Sequence, residues 1–197
     1  MTSKEQVFYD SILHEFKEEK THMLTLTEAS RYVAGGKDFV VSDYKVFNFD
    51  CFNSMMYGID PEPAGKAKEK TPDCLILNDG CIYFVEFKQG SADKKDIRLK
   101  IHETILGIYN YAVFSKKIFS REDFFNLKIK YVLIKKGDEK ALSNPYHRRR
   151  YISQNFFNLR SMNGFILNST HVFVSPEDIT RFLDTVTCGN CQPLNVA

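Results

Sequence analysis

Tryptophan is absent from the 197 residues, and neither sign of charge dominates, the formal net charge being +2. A whole-molecule electrostatic grip on nucleic acid is therefore not implied, and any attraction to phosphate must come from local clusters. No apolar run approaches the ~18 residues that cross a bilayer, and the start Met1-Thr2-Ser3-Lys4-Glu5-Gln6 lacks an apolar signal region. An intracellular protein with no membrane partner is expected. Cysteines are few and odd in number, five in all, which does not suit a secreted disulfide framework; reduced thiols are the simplest reading. Cys188 and Cys191 form a lone CxxC, half of a zinc site without its second pair. What is present is ordinary for a globular chain, 43% hydrophobic and 26% charged residues, with 17 Phe and 10 Tyr supplying rings for packing or for stacking on bases. The length suits one domain, expected over residues 1–187, with 188–197 as a flexible tail.

Periodicity places the elements. Phe8, Ile12 and Phe16 recur every fourth residue and predict an amphipathic helix over 4–20. Residues 38–49 are rich in Phe, Val and Tyr and read as one strand, or a bent pair about Ser42 and Asp43. Two strands, Cys74 to Leu77 and Cys81 to Lys88, flank Asn78-Asp79-Gly80, whose Asp-Gly step signals a tight hairpin. Ile97, Ile101, Ile105, Ile108 and Ala112 form the stripe of a long helix over 93–115, and residues 128–136 are a short apolar strand. A strand over 164–174 then feeds a helix opened by Ser175-Pro176-Glu177-Asp178, with Ser as N-cap, Pro at the first helical position and acids at the positive end of the dipole. The fold class is mixed α/β (α+β), in the order α-β-β-β-α-β with an appended C-terminal strand and helix.

Chemistry concentrates in Pro72-Asp73 and Glu86-Phe87-Lys88. Ile82, Phe84, Glu86 and Lys88 share one face of their strand by period two, so an apolar strand ends with a carboxylate and an ammonium pointing the same way. With Asp79-Gly80 as the hairpin loop, Asn78 faces Cys81, and continuing that register puts Asp73 opposite Glu86. Opposed carboxylates are destabilising unless a cation intervenes, and two hard oxygen ligands with room for water suit Mg²⁺ or Mn²⁺. Lys88 is placed to reach a water or phosphate oxygen beside such an ion. Metal polarisation of a phosphoryl oxygen, an acidified water and a nearby ammonium together make phosphodiester hydrolysis the chemistry expected, with nucleic acid, DNA or RNA, as the partner.

Pro72-Asp73, twelve intervening residues and Glu86-Phe87-Lys88 resemble the PD-(D/E)xK nuclease superfamily, over about two thirds of the chain. The resemblance implies a restriction-endonuclease-like α-β-β-β-α-β core, a mixed central sheet flanked by helices, and a divalent-metal-dependent nuclease, with endonuclease action expected. It implies Asp73 and Glu86 as metal ligands, the backbone carbonyl of Phe87 as a further ligand and Lys88 as catalytic. Many members add an acid from the first helix. On the helical wheel Glu15 falls within or beside the apolar arc and is the choice here, with Glu19 second; His14 and His22 read as surface residues. The helix after Glu86-Phe87-Lys88 carries Tyr109 and Tyr111 but no Gln, which departs from the RecB-like branch. For substrate binding the candidates are Arg148, Arg149 and Arg150 between Tyr146 and Tyr151, the loop lysines Lys66, Lys68 and Lys70, and Gln89 beside Lys88. Two other readings compete: a catalytically silent nucleic-acid-binding or protein-interaction module retaining the fold, and an internal salt-bridge network with no metal.

Overall fold

The structure, a computed structural model, describes residues 2–15, 22–31, 38–52, 70–164, 167–192 and 194–196. Helix α1 (Lys4–Glu15) opens the chain, followed by β1 (Met23–Thr25), the short α2 (Leu26–Ser30), β2 (Val40–Val41) and β3 (Lys45–Asn48). The hairpin β4 (Cys74–Asn78) and β5 (Cys81–Lys88) comes next, and then α3 (Lys94–Tyr109), which runs on as a π-helical turn over Asn110–Ser115. After α4 (Arg121–Phe125) come β6 (Ile129–Lys135), α5 (Glu139–Ser143), α6 (Pro145–Gln154), β7 (Leu167–Phe173), α7 (Pro176–Val186) and β8 (Asn195–Val196).

A mixed six-stranded sheet runs in the order β1-β3-β4-β5-β6-β7. Pairing is antiparallel from β1 to β5 and parallel from β5 through β7. Parallel neighbours need a crossover, and α3 supplies the one between β5 and β6. The hairpin keeps the expected register, Asn78 facing Cys81 and Cys74 facing Val85. Its turn has the stereochemistry that Asp-Gly favours: φ is +48° at Asp79 and +60° at Gly80, the two left-handed positions of a type I′ loop.

Alternation along β5 divides the core in two. Ile82 and Phe84 pack with Phe8 and Ile12 of α1 and with Ile97, Ile101 and Ile108 of α3. Val85 and Phe87 pack with Leu26 of α2 and with Ile179, Leu183 and Val186 of α7. Helices thus cover both faces, which is why β5 reads as an almost unbroken apolar run. Period two puts Glu86 and Lys88 on the α1 and α3 side, at the edge where β5 ends.

Several elements differ from the sequence expectations. The residues of 38–49 do form a bent pair, but its halves enter different sheets, β2 pairing with β8 and β3 joining the main sheet. Strand β1 and helix α2 were not anticipated, being too short for periodicity to reveal. Their signal is the capping box of Thr25 and Glu28. Helix α6 announces itself through Asn144 as N-cap and Pro145 in the first turn. Ser175 caps α7 as expected, its hydroxyl accepting the Asp178 N–H at 3.3 Å. The expected flexible tail from Cys188 is corrected. Cys191 is fully buried, its carbonyl accepts from the Ser42 hydroxyl at 2.6 Å, and Asn195–Val196 pairs with Val40–Val41. Burial of a thiol and pairing of an otherwise open strand edge fasten this segment. All five cysteines are free thiols. Among the described residues no helix is long and apolar enough to cross a membrane.

Candidate active site

Glu86 is the centre of the site. It has no solvent exposure, and a carboxyl group buried at the end of an apolar strand must be paired. Two ammonium groups do this. Lys88 Nζ lies 2.7 Å from Glu86 Oε1, and Lys100 Nζ donates to Oε1 at 2.8 Å and to Oε2 at 2.7 Å. Lys100 comes from α3, one position before Ile101 of the buried stripe, which turns its long side chain under the helix toward the sheet.

Asp73 stands just before β4, one register step beyond the Cys74–Val85 pair, and so is carried to the end of β5. Its Oδ2 accepts the Phe87 backbone N–H at 2.6 Å. Burial pushes the Asp73 carboxyl up to about 8; the negative charges of Glu86 and Asp50 add to the rise, while Lys100 and the Phe87 N–H oppose it. The electrostatic coupling with Glu86 is the mutual repulsion of carboxylates that a hairpin register brings together. Lys88 responds with the opposite balance. Burial works against its ammonium, but Glu86, Asp73 and Asp96 outweigh that effect and raise its pKa.

Asp50 is a third acid that sequence reasoning missed. It sits in the 3-10 turn Phe49–Cys51, where Asn48 caps the Asp50 N–H. Thr71 donates its hydroxyl to Asp50 Oδ1 at 2.7 Å, and the Phe49 N–H reaches the Asp73 carbonyl at 3.2 Å. Only contact between these two distant segments brings Asp50 toward Asp73. Lys100 was missed for a related reason: nothing local marks a lysine at the edge of an apolar stripe as the partner of a buried acid.

Glu15, the expected auxiliary ligand, is corrected by the path of α1. That helix crosses the sheet near the hairpin end, where Glu5 accepts the Lys128 N–H at 2.9 Å at the start of β6. Glu15 accepts from the Tyr111 hydroxyl at 3.0 Å and pairs with Lys116. Tyr111 lies eleven residues after Lys100, about 16 Å further along the helical run. The carboxylate is thus satisfied at the wrong end of α3. Glu19, Lys66 and Lys68 lie outside the described residues. His14 is exposed, whereas His22 is buried rather than on the surface.

The substrate-binding candidates divide. Lys70 flanks the site but is engaged, its ammonium 2.5 Å from Asp96 and its N–H bound by Glu103. Gln89 Nε2 donates to the Ser30 carbonyl at 2.9 Å, tying the end of β5 to α2. Arg148, Arg149 and Arg150 are exposed on α6, a helix that buries none of its residues, and among the described residues only Arg148 approaches an acid, Glu177 at 3.8 Å. Tyr146 beside them is 92% exposed. Helix α6 is linked to the strand edge bearing Lys88: Tyr151 accepts the Asp138 N–H at 2.9 Å, and Lys135, register partner of Lys88, lies over the Tyr151 ring at 6.0 Å.

Among the described residues no three His, Cys, Asp or Glu side chains form a ready metal cluster. The donor set nevertheless suits a hard dication: two carboxyl groups at one strand end, one of them with its pKa raised by burial and by its neighbour's charge. A cation would reverse that penalty. Asp73, Glu86 and the Phe87 carbonyl are the residues fit to hold it, in competition with the two lysines on Glu86. No family model, curated protein or solved structure matches this chain.

Proposed function

We propose that the chain is a divalent-metal-dependent nuclease of the PD-(D/E)xK kind, hydrolysing phosphodiester bonds in DNA or RNA as an endonuclease. One observation carries the reading: Asp73 is bonded to the Phe87 N–H at the end of the central strand, next to Glu86 and its partner Lys88. With β1, α2 and β2 inserted after the first helix, the order of α1, the antiparallel strands β3, β4 and β5, α3 and the parallel strand β6 is compatible with a restriction-endonuclease-like core.

Asp73, Glu86 and the Phe87 carbonyl would hold Mg²⁺ or Mn²⁺, which supplies Lewis acidity and an acidified water. Lys88 presents a cationic donor at the rim, 31% exposed on its side chain, where it orients the attacking water and offsets charge building on the phosphoryl oxygens. Lys100 neutralises Glu86 from beneath. Arg149 and Arg150, exposed on α6 and without an acid partner among the described residues, supply phosphate contacts that steer the backbone toward the strand edge.

A second reading is favoured by the two lysines themselves. They fill both oxygens of Glu86, as in a charge network that merely joins sheet and helix, within a catalytically silent nucleic-acid-binding or protein-interaction module. A cleavage panel of labelled single- and double-stranded DNA and RNA, with Mg²⁺ or Mn²⁺, separates the two. The nuclease cuts at least one substrate in wild type and none in Lys88→Ala, with fold and metal binding retained. Wild-type activity in Lys88→Ala would refute the role given to that lysine, and silence of the wild type across the panel would favour the charge network.

A further inference from the structure

Tyr131 on β6 is 1% exposed, and its hydroxyl has no hydrogen-bond partner among the described residues. A phenol buried this way loses its water without replacement, which costs stability, whereas phenylalanine would fill the same space without that cost. Phe84, its register partner on β5, is a fully buried ring of that kind. Two steps further along the same pairing, Glu86 faces Leu133, so Tyr131 lies on the face that bears Glu86 and diagonally behind it. Burial first, and then the charges of Glu86 and Asp73, push the phenol well above its ordinary range. The register itself, two residues apart on adjoining strands and on one face, sets Tyr131 and Glu86 as diagonal neighbours. Thr170, the neighbour of Tyr131 on β7, also has an unpartnered buried hydroxyl. A threonine carries its hydroxyl on Cβ, beside its own strand, whereas a tyrosine carries it at the far end of a ring, and Tyr131 packs in the same core layer as Phe84, on the side of the sheet that bears Glu86.

We infer that Tyr131 is a positioning residue for the carboxylate pair, its hydroxyl donating to the Asp73–Glu86 pair when a dication is held there. This rests on the metal reading proposed above. In the metal-free arrangement both oxygens of Glu86 accept from lysine ammoniums. A dication competes with those ammoniums for the same oxygens. A neutral donor already buried in the layer orients the carboxylates without adding positive charge against the ion.

The test is Mn²⁺ affinity measured by titration calorimetry without nucleic acid, on wild type, Tyr131→Phe and Thr170→Val, with melting temperatures of the metal-free proteins. Tyr131→Phe is expected to weaken Mn²⁺ binding about 10-fold, the loss of one charge-assisted hydrogen bond. Its metal-free melting temperature should equal or exceed that of wild type. Thr170→Val, which removes the other unpartnered hydroxyl, should leave Mn²⁺ affinity unchanged. Equal affinity in Tyr131→Phe and wild type overturns the inference while leaving the metal site standing. Equal weakening by Thr170→Val also overturns it, since general loosening would then account for the effect. Absence of Mn²⁺ binding by wild type removes the metal reading and this inference with it.

Discussion

Replacing Asp73 by Asn tests the carboxylate pair directly. In the wild type this carboxyl is pushed up to about 8, by burial and then by Glu86. A carboxyl whose folded pKa exceeds its unfolded one binds its proton longer in the native state, so metal-free stability is full at low pH and falls as pH rises from ~4 to ~8. The whole rise corresponds to at most ~6 kcal/mol, and residual solvent access together with relaxation of Lys100 toward Asp73 should leave about 2 kcal/mol observable. Asp73→Asn keeps a side-chain oxygen for the Phe87 N–H but cannot ionise. At pH 8 the metal-free variant should therefore melt roughly 4–8 °C above wild type, and at pH 5 the gap should shrink toward zero. Mn²⁺ at a hundred times its dissociation constant should stabilise wild type by about 2.7 kcal/mol and the variant by almost nothing, inverting their order at pH 8. Thermal melts followed by far-UV circular dichroism at both pH values, with and without Mn²⁺, measure all four quantities. A pH-independent difference between the two proteins, or an equal Mn²⁺ response, would refute the reasoning from opposed carboxylates.

Lys100→Met should cost about 3 kcal/mol in urea unfolding, because it leaves the buried Glu86 with Lys88 as its remaining cation; unchanged stability would show that Glu86 does not depend on α3. Replacing Arg148, Arg149 and Arg150 together by Ala should weaken nucleic-acid binding across sequences and reduce the slope of log affinity against log salt by about 2–3. An unaltered slope in a fluorescence-anisotropy titration would clear those arginines.

Short-range stereochemistry was open to reading from the chain. The Asp79-Gly80 loop, with both residues at positive φ, sets the hairpin register, and alternation along β5 assigns Glu86 and Lys88 to one face, because both follow from a few neighbouring residues. Ser175 likewise announces α7 by a bond three residues long. Where α1 crosses the sheet depends instead on how two ridged surfaces pack, and this sends Glu15 to Tyr111 and Lys116. Lys100 meets Glu86 across fourteen residues, Asp50 meets Thr71 across twenty-one, and the terminal strand closes on Val40 and Val41 from the far end of the chain. No local propensity encodes such meetings. They arise when packing closes long loops and a buried charge takes whichever partner the closure brings within reach.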